Sequence, residues 1–356
     1  LLIKLSLIVV LLLSRCTQKD MKRDLVIEFG EVDSIFLETG NVVYQNAKFR
    51  VSDQNQKMLI QHSTQLFLYD FAADSIVKSI ELDTLPLVLP EVNLGGALYS
   101  DVDQSIALFF PQKAKIYHLD SGCNLVKELS LSGLDDIGHM FLPYGEVFYY
   151  NPAKNLYYIG MMKNEGDIVG FLEDTRFVGI FDSKTGQLID QFAGFSEERK
   201  AHRFEVLSEG LFYMDVHSDE FYIRDVVGSQ TVTKWDLSGK WMGSYRLGSE
   251  RMNMELQPYS EGDFAEGKRS DYFYGLKVIG EDRVVSNIFL RDYPDGKERI
   301  EGLLLVEDFT KNRSYSKEIY PFQKIVHVSD STIWMVRNHP LTEDMVLVAI
   351  EYSLEK

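Results

Sequence analysis

The sequence predicts an all-β fold, a β-propeller of six four-stranded blades, with seven as the alternative count. Three observations carry this expectation. A strand, an Asp-led turn and a second strand recur along the chain, and the intervals leave room for two more short strands each. Helical periodicity is scarce throughout.

The copies follow in order. Phe67-Leu68-Tyr69-Asp70 turns through Ala72-Ala73-Asp74-Ser75 into Ile76 to Ile80. Ile116 to Asp120 turns at Ser121-Gly122 into Leu125 to Leu129. Val178 to Asp182 turns at Ser183-Lys184-Thr185-Gly186 into Leu188 to Phe192. Val232 to Asp236 turns at Ser238-Gly239 into Trp241 to Tyr245, and Leu304 to Asp308 passes Thr310-Lys311-Asn312 into Tyr315 to Ile319. A looser copy runs from Ile333-Trp334-Met335-Val336 to Val346 to Ile350. In each clear copy Asp opens the turn by accepting from backbone amides ahead of it, and valine, isoleucine and aromatics fill the strands.

Asp70, Asp120, Asp182, Asp236 and Asp308 are separated by 50, 62, 54 and 72 residues. Segments such as Leu156 to Ile159 and Glu220 to Ile223 supply the further strands of a blade. Leu25 to Phe29 or Ser34 to Leu37 is expected to pair with the last strand and close the ring, which removes an open edge. Two β-sandwiches would alternate equally well, but would not repeat one Asp-turn hairpin along the whole chain.

Leu1 to Leu13 is apolar apart from Lys4 and Ser6, and it ends at Leu13-Ser14-Arg15-Cys16. The run is too short to span a bilayer and has the length of a signal-peptide hydrophobic region. Leu13 to Cys16 resembles the lipobox of bacterial lipoproteins, with Arg15 where a small residue is usual. That resemblance implies cleavage before Cys16 and acylation of its thiol. The expected organisation is a signal peptide over 1–15, a lipidated Cys16 with a polar tether over 16–24, and one propeller domain over 25–356. Thr17-Gln18-Lys19-Asp20 is similar to the tag after the lipidated Cys in surface-exported lipoproteins of Bacteroidota-type bacteria.

Composition excludes some function classes. The 356 residues carry a net charge of −17, and removal of Lys4 and Arg15 with the signal makes the remainder more negative still. No basic stripe offsets this, so nucleic acid is not an expected partner. Apolar residues are 45% of the chain, enough for a substantial core. With Cys16 acylated, Cys123 stands alone and no intrachain disulfide is expected. Cys123 reads as a passive turn residue, without a His or Asn placed to activate it.

Repeats and leader together resemble the TolB-like, six-bladed propellers of Bacteroidota lipoproteins, many in families of unknown function. The resemblance covers residues 25–356. Trp235-Asp236 and Gly138-His139 are similar to WD40 signatures but occur once each and far apart. Asp182 to Gly186 is similar to the turn of quinone-dependent propeller dehydrogenases, without their repeated tryptophans, so a quinone is rejected and no cofactor is expected.

Chemistry-bearing motifs are sparse. The chain has no Gly-rich phosphate loop, His-Glu-x-x-His, Cys-x-x-Cys or Gly-x-Ser-x-Gly sequence. Asp215-Val216-His217-Ser218-Asp219-Glu220 is the best metal-like cluster, but it lacks the Gly that shapes cation loops. Asp101 and Asp103 point the same way in an extended segment and form a conceivable acid/base pair, with a solvated turn as the simpler reading. His118 and His327 alternate with apolar neighbours and read as packed. The polar stretch 248–271 and the basic run 197–203 interrupt the repeat, as candidate binding loops or solvated excursions. The 19 Tyr and 22 Phe residues raise carbohydrate stacking, though Phe148-Tyr149-Tyr150 and Tyr272-Phe273-Tyr274 read as strand core.

No residue is assigned as catalytic, cofactor-binding or metal-ligating, and Cys16 is the single assigned site, for lipidation. The expected function is an outer-membrane-anchored binding module for a protein, peptide or glycan, facing the periplasm or the cell surface. A channel hydrolase or lyase and a structural accessory subunit are the alternatives.

Overall fold

A computed structural model describes residues 22–37, 47–85 apart from 53, 55 and 63, 94–142, 147–164, 168–200 apart from 198 and 199, 212–225, 230–252 apart from 247, 271–292, 299–338 and 345–354. Strand β1 (Lys22–Phe36) comes first. Four small antiparallel sheets follow in chain order. The first holds β2 (Lys48–Val51), β3 (Lys57–His62), β4 (Gln65–Asp70) and β5 (Ser75–Glu81). The second holds β6 (Gly96–Tyr99), β7 (Ile106–Phe110), β8 (Lys115–Leu119) and β9 (Leu125–Ser130). The third has β10 (His139–Phe141) and β11 (Phe148–Asn151), both on β12 (Leu156–Lys163), then β13 (Val178–Asp182) and β14 (Leu188–Phe192). The fourth holds β15 (Phe212–His217), β16 (Glu220–Asp225), β17 (Thr231–Asp236) and β18 (Trp241–Arg246).

The remaining strands form one nine-stranded sheet. Its members are β19 (Tyr272–Phe273), β20 (Lys277–Ile279), β21 (Arg283–Asp292), β22 (Arg299–Asp308), β23 (Arg313–Ile319), β24 (Lys324–Val328), β25 (Thr332–Asn338), β26 (Met345–Leu354) and β1. The expectation of six separate blades is corrected here. The start of β1 runs parallel to β23, Leu25 opposite Tyr315, and the rest runs antiparallel to β26, from Ile27 opposite Leu354 to Phe36 opposite Val346. One strand therefore joins β19–β23 to β24–β26, which the sequence counts as separate. The sheet curls until β20 lies against β24, around a shared core that includes Ile27, Val285, Leu304, Tyr315, Ile333 and Val348. The expected closing pair is present, and the strand begins at Lys22, inside the stretch read as tether.

Packing explains the sequence pattern. The middle strands are apolar on both faces because each is sandwiched between neighbouring sheets: Val178 to Phe181 and Phe221 to Arg224 are buried without interruption. The last strands β5, β9 and β18 face water and are exposed along most of their length, while β14 is exposed at its middle. Core clusters weld each sheet to the next. Leu68 meets Leu108 and Tyr117 between the first and second, and Phe109 meets Phe148 and Phe181 between the second and third. Phe177 stacks on Phe212 at 4.1 Å between the third and fourth. Tyr222 joins Val278 and Val284, and Met58 and Phe67 join Val326 and Leu347, so the last sheet touches both the fourth and the first. The result is an all-β, propeller-like arrangement of small sheets.

The Asp turns hold at atomic detail. Oδ1 of Asp70 accepts from the amides of Ala72 and Ala73, that of Asp120 from Gly122 and Asn124, and that of Asp182 from Lys184 and Thr185. Asp236 accepts from Ser238 and Lys240, and Asp308 from Lys311. Gly186 in the third turn has φ +74°, and a Cβ there would sit 1.9 Å from the Ser130 carbonyl oxygen, so no side chain fits. The one helix in this region, Ile168–Asp174, stands between β12 and β13 and has no counterpart in the sequence expectation.

Candidate functional site

The residues singled out in the sequence disperse in the fold. Asp215 to Glu220 is a two-residue hairpin in which His217 pairs with Glu220 and the turn residues Ser218 and Asp219 have φ of 49° and 63°. The hairpin points its carboxylates apart: Asp215 accepts from Val278 N–H at 2.9 Å, while Asp219 accepts from Asn151 at 3.0 Å. Among the described residues no group of three or more His, Cys, Asp or Glu is placed to hold a metal ion. Asp101 meets Lys57 at 3.7 Å and the amide of Gln54 at 3.1 Å, whereas Asp103 accepts from the amide and hydroxyl of Ser105. The two carboxylates serve different turns and form no acid/base pair. Cys123 occupies the Asp120 turn with φ +65°, its amide on the Asp120 carbonyl.

Three of the described histidines are held in structural contacts. His139 accepts from the Arg176 amide on Nε2, which leaves Nδ1–H to the Ile137 carbonyl at 2.9 Å. His327 packs against Phe71, which also packs on Trp334, and burial, then nearby Lys277, lowers its pKa. His118 lies 3.0 Å from the Tyr157 hydroxyl, and burial with a lesser push from Lys127 takes its pKa down to about 4. The neutral ring is thus the folded form, so its contribution is full above pH 6.5 and is lost as pH falls toward about 4. The Asp70, Asp120 and Asp182 carboxyls are held low chiefly by their turn amides, and their contribution goes in a second, more acidic window. The urea midpoint should therefore fall below about pH 6 and again below about pH 4. A midpoint constant from pH 7 to 3 would contradict this.

The rings of Phe148 and Tyr150 stack on Tyr157, and Tyr274 stacks on Phe289 at 4.7 Å, which commits them to the interior. Exposed Val77, Val126, Ile189 and Trp241 lie on the outer strands of four different sheets. Most of the stretch 248–271, residues 198, 199 and 201–203 of the basic run, and Cys16 with its leader lie outside the described residues. Of these stretches, Arg251 is described, bonding Glu301 and Glu318, and Lys200 bonds Glu173 and Glu197.

Sequence reasoning missed one convergence. The first strands of several sheets meet about the centre: β2 lies against β6 and β24, and β15 and β24 both lie against β20. They border a half-open cavity of about 70 Å³. Lys48 and Arg50 of β2, Lys277 of β20 and Lys324 of β24 line it, with Gln61 and Tyr213. All four cations are half-buried. Lys48 donates to the Gly95 carbonyl at 2.6 Å and Lys277 to Asp215 at 3.2 Å, while Gln61 donates to the Leu94 carbonyl at 2.8 Å. No carboxylate lines the cavity among the described residues. A usable signal existed: Lys48-Phe49-Arg50, Lys277-Val278 and Lys324-Ile325 each place a cation at the head of a first strand, on an otherwise acidic chain. A second cavity of about 250 Å³ lies off-centre between the second and third sheets, lined by Pro111, Leu134, Asp135 and His139.

Known structures share this arrangement. A member of the DUF4221 family from Bacteroides vulgatus superposes with a TM-score of 0.65 at 11% identity, over 94% of this chain and 99% of its own. The likeness is one of fold. A Bacteroides fragilis protein named as exported superposes with a TM-score of 0.59 at 11% identity, over the same shares. No family model matches the sequence, and no curated protein matches it. No helix among the described residues is long and apolar enough to cross a membrane.

Proposed function

We propose that this chain is an outer-membrane lipoprotein, tethered through Cys16, whose propeller-like domain is a binding module for a protein, peptide or glycan with its ligand site at the central cavity. One observation carries the reading. Three first strands, drawn from opposite ends of the sequence, deliver Lys48, Arg50, Lys277 and Lys324 to a single small volume. Half-buried cations gathered about one volume suit it to polar or acidic groups of a ligand.

The leader supports the address, since Cys16 stands six residues before the first strand and a structural neighbour is named as exported. A fully acylated Cys carries more than one chain, which is enough for stable anchoring. Cys16→Ala should abolish acyl-lipid labelling and move the protein from the membrane to the soluble fraction. Labelling and membrane retention equal to wild type would end the lipoprotein reading.

A further inference from the structure

We infer that the anchored protein stands with one end of its ring toward the membrane and the central cavity at the other, open to soluble ligands and turned away from the lipids of that bilayer. This rests on the lipoprotein reading of Cys16.

The antiparallel strands define the two ends. The hairpins between first and second strands mark one end, and they meet around the ring. The Gln54 amide donates to Asp101 at 3.1 Å, and Asn151 donates to Asp219 at 3.0 Å. The Tyr222 hydroxyl donates to the Glu281 carbonyl, and Arg283 donates to Asp330 at 3.0 Å. The heads of the first strands mark the opposite end, and the cavity belongs there. Lys48, Ala97, Tyr213, Lys277 and Lys324 line it, each one of the first two residues of β2, β6, β15, β20 or β24. None of the hairpin residues is in its described lining.

The chain that leads back to Cys16 leaves from the hairpin end. Lys22, which opens β1, lies opposite Arg313, just past the turn after β22. The Phe309 amide of that turn bonds the Asp282 carbonyl in the hairpin between β20 and β21. Ile27 lies opposite Leu354 at the end of β26, where Tyr352 bonds the Ser329 and Ser331 carbonyls in the hairpin between β24 and β25.

Length then sets the orientation. Cys16 stands six residues before Lys22, so at roughly 3.5 Å per residue full extension carries it about 20 Å. The ten residues of β22 cross the same sheet from end to end over about 33 Å. Acyl chains on Cys16 therefore reach a bilayer beside the hairpin end or the rim next to it. A bilayer laid over the cavity end is beyond their reach.

The test uses the lipidated protein in vesicles of phosphatidylethanolamine and phosphatidylglycerol, with an energy-transfer acceptor on the headgroups. In a Cys123→Ser background, a donor dye is placed through Val102→Cys or Gln112→Cys, at the two ends of β7. A second pair, Lys154→Cys or Glu173→Cys, marks the two ends of β12, and all four positions are exposed. Pairs in two different sheets separate an upright domain from a tilted one. Transfer should be severalfold stronger from position 102 than from 112, and from 154 than from 173. Equal transfer within the pairs, or stronger transfer from 112 and 173, would overturn the inference. Flotation of the same vesicles separates the two levels. Protein that floats but shows the reverse transfer overturns the orientation alone, whereas protein that carries no acyl chain and does not float removes the lipoprotein reading and the orientation with it.

Discussion

Replacing Glu307 by Gln should lower the free energy of unfolding by about 3–5 kcal/mol, the usual consequence of stranding one member of a buried ion pair. Arg224 of β16 and Glu307 of β22 have fully buried side chains, and Nη2 donates to Oε2 at 2.5 Å. Nη1 donates to Ser286 Oγ at 3.0 Å, and the guanidinium lies 4.0 Å from the centroid of the Phe273 ring. Burial pulls the Arg224 pKa down and the Glu307 charge opposes that pull, so the pair stays ionised only as a pair. It bridges the fourth sheet to the nine-stranded one. The converse experiment is sharper: Arg224→Met/Glu307→Leu should recover most of the loss, because an apolar pair has no desolvation cost. Urea unfolding of the three proteins checks both, and a single variant within about 1 kcal/mol of wild type would show that the bridge carries little.

Removing β1 should be still more damaging. A chain that begins at residue 38 loses a strand that pairs on both sides, with β23 and with β26, and loses the buried side chains of Ile27 and Leu37. Two edges of the largest sheet are then left as templates for other chains, so aggregation or strand exchange is expected in place of a monomer. A graded version is Ile27→Ala, which should cost about 2–5 kcal/mol because Ile27 is wholly buried in the core of that sheet. Size-exclusion chromatography and urea unfolding decide it. A monomeric shortened chain with an unchanged midpoint would mean that β1 is an accessory. Since β1 begins only six residues after Cys16, the strand that closes the fold is also the one that joins it to the proposed anchor.

Local chemistry was the legible part of this sequence. Each Asp that opens a repeat accepts the amides expected of it, because an Asx turn needs only residues two to four positions ahead. Closure was legible too, through an N-terminal strand left over once the hairpins had been assigned. The metal-like run at His217 misled for the opposite reason. Adjacent residues of a strand alternate sides, so Asp215 and His217 share a face, but the tight turn after them sends Asp219 elsewhere.

The sequence by itself determined an all-β chain of Asp-turn hairpins with a strand in reserve at its N-terminus, since hydrogen bonds and strand periods act between near neighbours. Only the tertiary structure decided that β1 fuses two groups of strands into one sheet, that Arg224 finds Glu307 83 residues away, and that Lys48, Arg50, Lys277 and Lys324 line one space. The physical reason is the same in all three cases. Which sheets become neighbours depends on how the whole ring closes, and a cation at the head of a strand does not reveal in the chain which other strand heads it will meet.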